Sequence, residues 1–181
     1  MVRARRIENE WKLLAEMAAG NPGVLHVRGR ETGAAGEVFR VDLGQTPGPV
    51  KTAAGVELRD SHRMEFRFPR FFPAVPIEGV LETPVFHPNV DADSGFVCLW
   101  TRACPGDTIA EALYRMQRII AWDLVNMAAD HVMQREAVEW SRDESRAIRL
   151  PGDFIPLELP QACGSFRAPR PASRQRLYPH G

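Results

Sequence analysis

Five prolines between residues 69 and 88 constrain the fold more than any other feature of this sequence. They are Pro69, Pro73, Pro76, Pro84 and Pro88. Proline fixes the backbone angle φ and has no N–H to donate, so this segment can be neither a helix nor an ordinary central strand. The segment must therefore be irregular, and the regular elements of the fold must lie on either side of it or interrupt it briefly.

The residues before this segment predict one helix followed by strands. Residues 3 to about 18 carry apolar side chains at helical spacing, namely Ile7, Trp11, Leu14, Ala15 and Ala18. Strand patterns follow at residues 24–27, 38–43 and 64–68, with a fourth at 80–83 and a Gly/Pro-rich loop over 44–55. Because no helix separates these strands, we expect an antiparallel four-stranded meander.

The residues after it predict helices. Thr108 and Glu111 form a capping box, and apolar side chains then recur at helical spacing at Ile109, Leu113, Met116 and Ile120. A second helix is expected from about residue 130 to 148, with Ala137 and Trp140 facing inward. The sequence thus predicts an α+β fold.

Periodicity ends near Leu150, which sets the expected division of the chain. Residues 1–150 would form the folded domain, and residues 151–181 a Pro/Arg-rich C-terminal tail, either docked or loose. No internal repeat is visible.

Composition limits the classes of partner. Basic and acidic residues number 23 each, so zero net charge gives no electrostatic case for binding nucleic acid or a membrane surface. Charges interrupt the N-terminus, and no stretch approaches the roughly 18 apolar residues of a membrane span. We therefore expect a cytoplasmic protein. The three cysteines, with no C-x-x-C pair, favour reduced thiols over disulfides or a zinc site, and no metal or cofactor is predicted.

Three short motifs together carry the functional information. They are FPRFFPAVP over residues 68–76, TPVFHPN over 83–89 and GFVCL over 95–99. This series resembles the core of the ubiquitin-conjugating enzyme family, whose pattern is an FP..YP..P turn, a His-Pro-Asn triplet and a G.[IV]CL active-site segment. Phe72 stands where the family has Tyr. The resemblance covers roughly residues 3–148 and implies the UBC-like fold of that family.

The resemblance also implies a reaction. Cys98 would accept a ubiquitin-like modifier as a thioester from an activating enzyme and transfer it to a lysine of a protein substrate. A thiolate is both a good nucleophile and a good leaving group, which suits acyl exchange between cysteines. The family uses its N-terminal helix to bind the activating enzyme. We expect the same here, through a basic face of Arg3, Arg5, Arg6 and Lys12.

Roles for four further residues follow from the same resemblance. Asn89 would either donate to the oxyanion of the tetrahedral intermediate or hold the active-site loop, and the sequence leaves both roles open. His87 would fix a loop. Asp130 would provide an acidic environment for the incoming amine, with Asp107 as a second candidate. Asp130 could instead be a helix N-cap.

Departures from the family pattern indicate a divergent member. Trp100 stands where an Asp often follows the Cys-Leu pair, and the loop from Cys98 to the next helix is short. Arginine supplies all basic residues except Lys12 and Lys51. Together these features resemble bacterial members encoded in operons with their own activating enzyme and modifier, some of which act in antiphage defence.

Two other functions remain open. Some relatives keep the fold but only bind partners, so the chain could be a catalytically inactive scaffold. A Cys-His hydrolase could pair Cys98 with His131 or His87, but it would need a third, orienting group. Cys104 and Cys163 are expected to be bystanders.

Overall fold

One antiparallel sheet with helices before and after it forms the architecture, and this confirms the predicted α+β class. The computed structural model describes residues 2–33, 36–142 and 154–160. Helix α1 spans Val2–Gly20, α2 Ile109–Ile120 and α3 Arg135–Ser141. The strands are β1 Leu25–Gly33, β2 Gly36–Leu43, β3 Gly48–Thr52, β4 Gly55–Arg59, β5 His62–Pro69, β6 Glu78–Leu81 and β7 Phe96–Val97.

The main sheet has the order β1-β2-β5-β6-β7, and every neighbouring pair is antiparallel. Its first four strands correspond to the four predicted ones in meander order, although their bounds differ. Strands β2, β5 and β6 each begin two residues before the predicted start, and β1 continues to Gly33. Burial alternates along β5, where Met64, Phe66 and Phe68 face the core. The two-residue strand β7 was not predicted. It adds the segment before Cys98 to the sheet.

The loop expected over residues 44–55 is wrong in part. Strand β3 lies within it and pairs with β4 as a separate two-stranded hairpin, closed by Ala53 and Ala54. Gly and Pro in β3 conceal the strand pattern. The turn residues also lack the Asn-Gly or Asp-Gly signal that usually marks a two-residue hairpin.

Helix α2 lies in the core, and α1 packs on it. The predicted apolar face of α2 is fully buried, and its capping box between Thr108 and Glu111 is present. In α1, Ile7 and Leu14 are buried as expected. Ala15, however, was expected to be buried and is exposed. Met17, which was not among the predicted apolar residues, is buried instead.

A buried carboxylate joins the two helices. Glu10 of α1 accepts a hydrogen bond from the backbone N–H of Ile109, in the first turn of α2, and from the Arg6 guanidinium. Arg6 also donates to the carbonyls of Gly106 and Asp107. Burial raises the pKa of Glu10, while the N–H of Ile109 and Arg6 oppose that rise. These contacts fix the loop before α2 against α1.

Helix α3 begins at Arg135, not near residue 130, because residues 128–131 form a turn instead. Its predicted inward residues, Ala137 and Trp140, are buried in a small second cluster with Phe86 and, at its edge, Trp122. The predicted end of this helix, over residues 143–148, lies outside the described residues. None of the described helices is long and apolar enough to cross a membrane.

Residues 154–160, here called the C-terminal strap, are docked against the core. Leu157 is buried among core side chains. The amide of Gln117 donates to the carbonyl of Ile155 and accepts from the N–H of Leu157. The amide of Asn21 pairs in the same way with both backbone groups of Glu158. The rest of the predicted tail, including Cys163, lies outside the described residues.

Candidate active site

Cys98 directly follows β7 at the edge of the sheet. Its backbone N–H donates to the carbonyl of Asn89 at 2.9 Å, so the cysteine is hydrogen-bonded to the His-Pro-Asn turn. Val90 and Val97 form an isolated β-bridge beside this bond. The thiol is neither buried nor fully exposed. The backbone of Cys98 is therefore fixed, and the residue is partly exposed.

Gly95 makes the turn into β7 possible. It has a φ of +71°, and a Cβ added there would lie 2.1 Å from the carbonyl oxygen of Leu81. The N–H of Leu81 donates to the Gly95 carbonyl at 2.8 Å, so β6 and this turn are in direct backbone contact. Only glycine combines this backbone conformation with this close approach.

Asn89 uses its side chain to hold residues 126–134, here called the site loop. Its Nδ2 donates to the carbonyls of Asn126 at 2.7 Å and His131 at 3.0 Å, and its Oδ1 accepts from the Asn126 N–H at 2.8 Å. Asn89 is 1% exposed. Because both hydrogens of the amide are engaged, no donor on this side chain is left for an oxyanion. The contacts therefore favour the loop-holding role over the donor role.

The far end of the site loop is fixed to the same turn. The N–H groups of Met133 and Gln134 donate to the carbonyl of Pro88 at 2.8 and 3.2 Å. The Gln134 side chain donates to the carbonyls of Val85 and Val90. The His-Pro-Asn turn thus holds both ends of the loop above Cys98.

His131 is the residue that this loop brings to the cysteine. Its Nδ1 lies 2.8 Å from the Sγ of Cys98. On the opposite side of the ring, Nε2 lies 3.7 Å from the carboxylate of Asp130, whose side chain is 81% exposed. Burial and, secondarily, the negative charge of Asp130 raise the pKa of the Cys98 thiol. The thiol is therefore protonated at neutral pH and contacts a ring nitrogen.

His87 is turned into the protein. It is fully buried, its ring meets that of Trp122 edge to face, and its Nδ1 accepts from the N–H of Asn89 at 3.0 Å. Burial lowers the pKa of His87 to about 3, so the ring is neutral. These contacts are those of a residue that supports the turn.

The two acidic candidates differ in their surroundings. Asp130 lies in the site loop next to His131, and the alternative that it caps a helix is wrong because the N-cap of α3 is Gln134. The carboxylate of Asp107 accepts from the N–H of Cys104 at 2.6 Å within the turn before α2. Of the two, only Asp130 lies beside His131, the residue that contacts Cys98.

Trp100 has a structural explanation for its departure from the family pattern. Its indole N–H donates to the carbonyl of Ile77 at 2.8 Å, and the Arg115 guanidinium lies over the ring. The segment after Cys98 is therefore anchored to the Pro-rich segment by an aromatic side chain.

Among the described residues, no group of three or more His, Cys, Asp or Glu side chains is arranged to hold a metal ion.

The basic face predicted on α1 is smaller than expected. Arg3 pairs with Glu37 and donates to the carbonyls of Phe68 and Pro69, and Arg6 joins α1 to the loop before α2. Only Arg5 and Lys12 of the predicted set are exposed. Arg3 and Arg6 are instead partly buried, and their guanidinium groups donate hydrogen bonds to other parts of the same domain.

The sequence did not single out the contribution of the site loop. The backbone of Asn126 exchanges hydrogen bonds with the Asn89 side-chain amide. Trp122, just before the loop, has a φ of +57°, and its indole N–H donates to the carbonyl of Phe86. The only sequence signal for His131 is its candidacy as a partner of Cys98 in a hydrolase. Its 33-residue separation from Cys98 conceals the contact.

Solved structures with a similar architecture include two ubiquitin-conjugating enzymes. One from Trypanosoma cruzi aligns with a TM-score of 0.56 at 19% identity, over 81% of this chain and 95% of its own. Human ubiquitin-conjugating enzyme E2 G1 aligns with a TM-score of 0.47 at 20% identity, over 67% of this chain and 98% of its own. The first alignment shows that the chain has the ubiquitin-conjugating fold, as predicted. No family model matches the sequence. No curated protein matches it either.

Proposed function

We propose that this chain is a ubiquitin-conjugating-type transferase that carries a ubiquitin-like modifier as a thioester on Cys98. The observation that carries the proposal is the position of Cys98. Its N–H is bonded to Asn89 of an intact His-Pro-Asn turn, and the residue is partly exposed at the edge of a ubiquitin-conjugating fold. Fold alone does not imply activity, so the proposal rests on this site.

The reaction proposed has two acyl transfers. First, the Cys98 thiolate attacks the modifier's C-terminal carbonyl carbon, and the cysteine of the activating enzyme leaves as a thiolate. Next, a neutral lysine amine attacks the same carbon, an amide bond forms, and Cys98 leaves. An unperturbed lysine, with a pKa near 10.4, is almost entirely protonated at neutral pH. Asp130, exposed beside the cysteine, is the residue proposed to attract and orient that ammonium group.

The partners proposed are an activating enzyme, a ubiquitin-like modifier and a protein substrate. The exposed Arg5 and Lys12 of α1 support docking of an acidic surface on the activating enzyme. An origin in a bacterial conjugation operon with a role in antiphage defence is proposed from the family resemblance alone. Lysine is limited to Lys12 and Lys51, which leaves few acceptors for self-modification.

Incubation with activating enzyme, modifier and ATP tests the proposal on a non-reducing gel. A thiol-sensitive adduct should form with the wild-type chain, and Cys98→Ala should abolish it. Cys98→Ser should give a thiol-resistant oxyester. The matched control is Cys104→Ala, which removes an exposed thiol six residues away and should leave the adduct intact. An adduct that depends on Cys104 and not on Cys98 would refute the assignment.

A second function is favoured by one specific contact. Cys98, His131 and Asp130 lie in the order of a nucleophile, a base and an orienting carboxylate, which a cysteine hydrolase would use to cleave the modifier from its targets. A hydrolase and a transferase share the same acyl-enzyme and differ in whether water or an amine resolves it. The hydrolase would release free modifier from a purified conjugate without ATP, whereas the transferase would not.

A further inference from the structure

The contact between His131 and Cys98 brings together two groups that exchange protons. Nδ1 of His131 lies 2.8 Å from Sγ, and the ring is 15% exposed, so it faces the thiol more than it faces water. The site loop fixes the backbone of His131, since its carbonyl accepts from the Asn89 amide and its N–H donates to the carbonyl of Ala128. The imidazole therefore reaches the thiol from a backbone position that is held on both sides.

Cys98 requires a proton acceptor before it can react. Thioester exchange proceeds through the thiolate, and a free cysteine is already mostly protonated at neutral pH. Burial and the charge of Asp130 raise the pKa of the Cys98 thiol, which favours the protonated form further. A nucleophile in this environment reacts slowly unless a neighbouring base takes its proton, and His131 is in contact.

Asp130 orients the imidazole for this task. Its carboxylate lies on the Nε2 side, 3.7 Å away, and favours the tautomer that carries hydrogen on Nε2. The lone pair then resides on Nδ1 and points to Sγ. The exposure of this carboxylate keeps its effect on the ring modest.

We propose that His131 is a catalytic residue that accepts the Cys98 proton when the cysteine attacks and protonates the Cys98 thiolate when the cysteine leaves. In charging, the S–H proton moves to Nδ1, the new S–C bond forms, the old S–C bond to the activating enzyme breaks, and the departing thiolate takes up the proton from the imidazolium. In discharge, the attacking amine gives up a proton to Nδ1 as the amide bond forms, the S–C bond breaks, and the Cys98 thiolate is reprotonated from Nδ1. Base and acid are one group, and the ring ends the cycle neutral.

This inference rests on the proposed function for its second half, but the thiol chemistry can be measured without any partner. In a Cys104→Ala, Cys163→Ala background Cys98 is the sole thiol. Two probes then report on it, iodoacetamide and a short peptide thioester ending in glycine. We expect His131→Asn, which keeps a polar side chain but no base, to slow both reactions at pH 7 at least tenfold. General bases typically contribute roughly 10²–10⁴-fold.

A rescue experiment separates catalysis from a loss of structure. In His131→Ala, added imidazole should restore much of the rate. Pyrazole, a ring of similar size but weak basicity, should not. Thermal melting of each variant gives the structural control. Unchanged rates in a folded His131→Asn variant would overturn the proposal, and so would a loss that imidazole does not rescue. If the His131 effect holds but no modifier adduct ever forms, the proposed function fails while this inference stands.

Discussion

Asn89 is bonded at every polar atom of its side chain, which changes what its substitution should do. If it were a free oxyanion donor, Asn89→Ala would leave charging intact and slow discharge by roughly 10²-fold or more. Because the amide instead holds Asn126 and His131, we expect Asn89→Ala to release the site loop and to impair both steps. Stability should also fall by about 1–3 kcal/mol, since three hydrogen bonds to partly buried backbone groups are lost.

Separate measurement of the two steps distinguishes these roles. Charging is followed with activating enzyme and ATP, and discharge by a chase with excess lysine after ATP is removed. Intact charging with slow discharge would restore the donor role to Asn89. Gln134→Ala is the matched comparison, because it loosens the far end of the same loop without touching Asn89.

His87 predicts a pH dependence of stability. Its pKa is about 3 in the folded protein, because burial disfavours the charged ring, against about 6.5 in an unfolded chain. The unfolded state therefore binds the proton first as the pH falls below 6.5, and stability is lost on acidification. Between pH 7 and pH 5 this one residue should remove about 2 kcal/mol.

Urea unfolding at the two pH values measures that loss. His87→Asn is the appropriate comparison, because its Oδ1 can accept from the Asn89 N–H but does not titrate. The variant should show the smaller loss between pH 7 and pH 5. Equal losses in both proteins would mean that His87 is not the group responsible. His62, whose pKa burial also lowers, contributes equally to both proteins.

Gly95 should not tolerate a side chain. Gly95→Ala combines a positive φ with a Cβ placed 2.1 Å from the Leu81 carbonyl, so the β6 contact must open. Left-handed strain alone costs about 1–3 kcal/mol, and the displaced backbone adds to that. Thermal melting should show the loss. Gly20→Ala, at the end of α1 with nothing within 4 Å of its added Cβ, should melt close to wild type.

At the scale of elements, α1 has two separable sets of basic side chains. Arg5 and Lys12 are exposed, whereas Arg3 and Arg6 bond within the domain. Charge reversal at Arg5 and Lys12 should raise the activating-enzyme concentration needed for charging, more so at low salt, and leave the melting temperature unchanged. Reversal at Arg6 should lower stability instead. Unaltered charging in the first variant would make α1 a packing element only.

The elements that the sequence predicted are those whose patterns are local. Alternation along β5 and the Thr108 capping box each depend on residues a few positions apart, and both are present. Hairpin β3-β4 was not predicted because Gly and Pro in β3 interrupt the strand pattern. The start of α3 was predicted too early because the site loop occupies the residues of the predicted first turn. The contact of His131 with Cys98 arises only from tertiary folding.

For the whole molecule, the C-terminal strap packs against the core, so we expect part of the tail to contribute to the stability of the fold. Leu157→Ala should cost about 2–4 kcal/mol, as expected for a large-to-small change in a core. The control is Ile155→Ala, because that side chain is 60% exposed and its removal should be nearly neutral. Similar melting temperatures for the two variants would show that the strap is dispensable.

The central claim is that Cys98 carries an acyl group and passes it to an amine. Its most direct test is a single-turnover chase, in which chain purified as the Cys98 thioester is mixed with free lysine or with buffer alone, and the products are identified by intact mass. Changing Lys12 and Lys51 to arginine first removes the chain's own acceptor lysines. We expect rapid loss of the thioester only with lysine, and a modifier–lysine product in equal amount. Equally fast loss in buffer, yielding free modifier, would contradict it and identify a hydrolase.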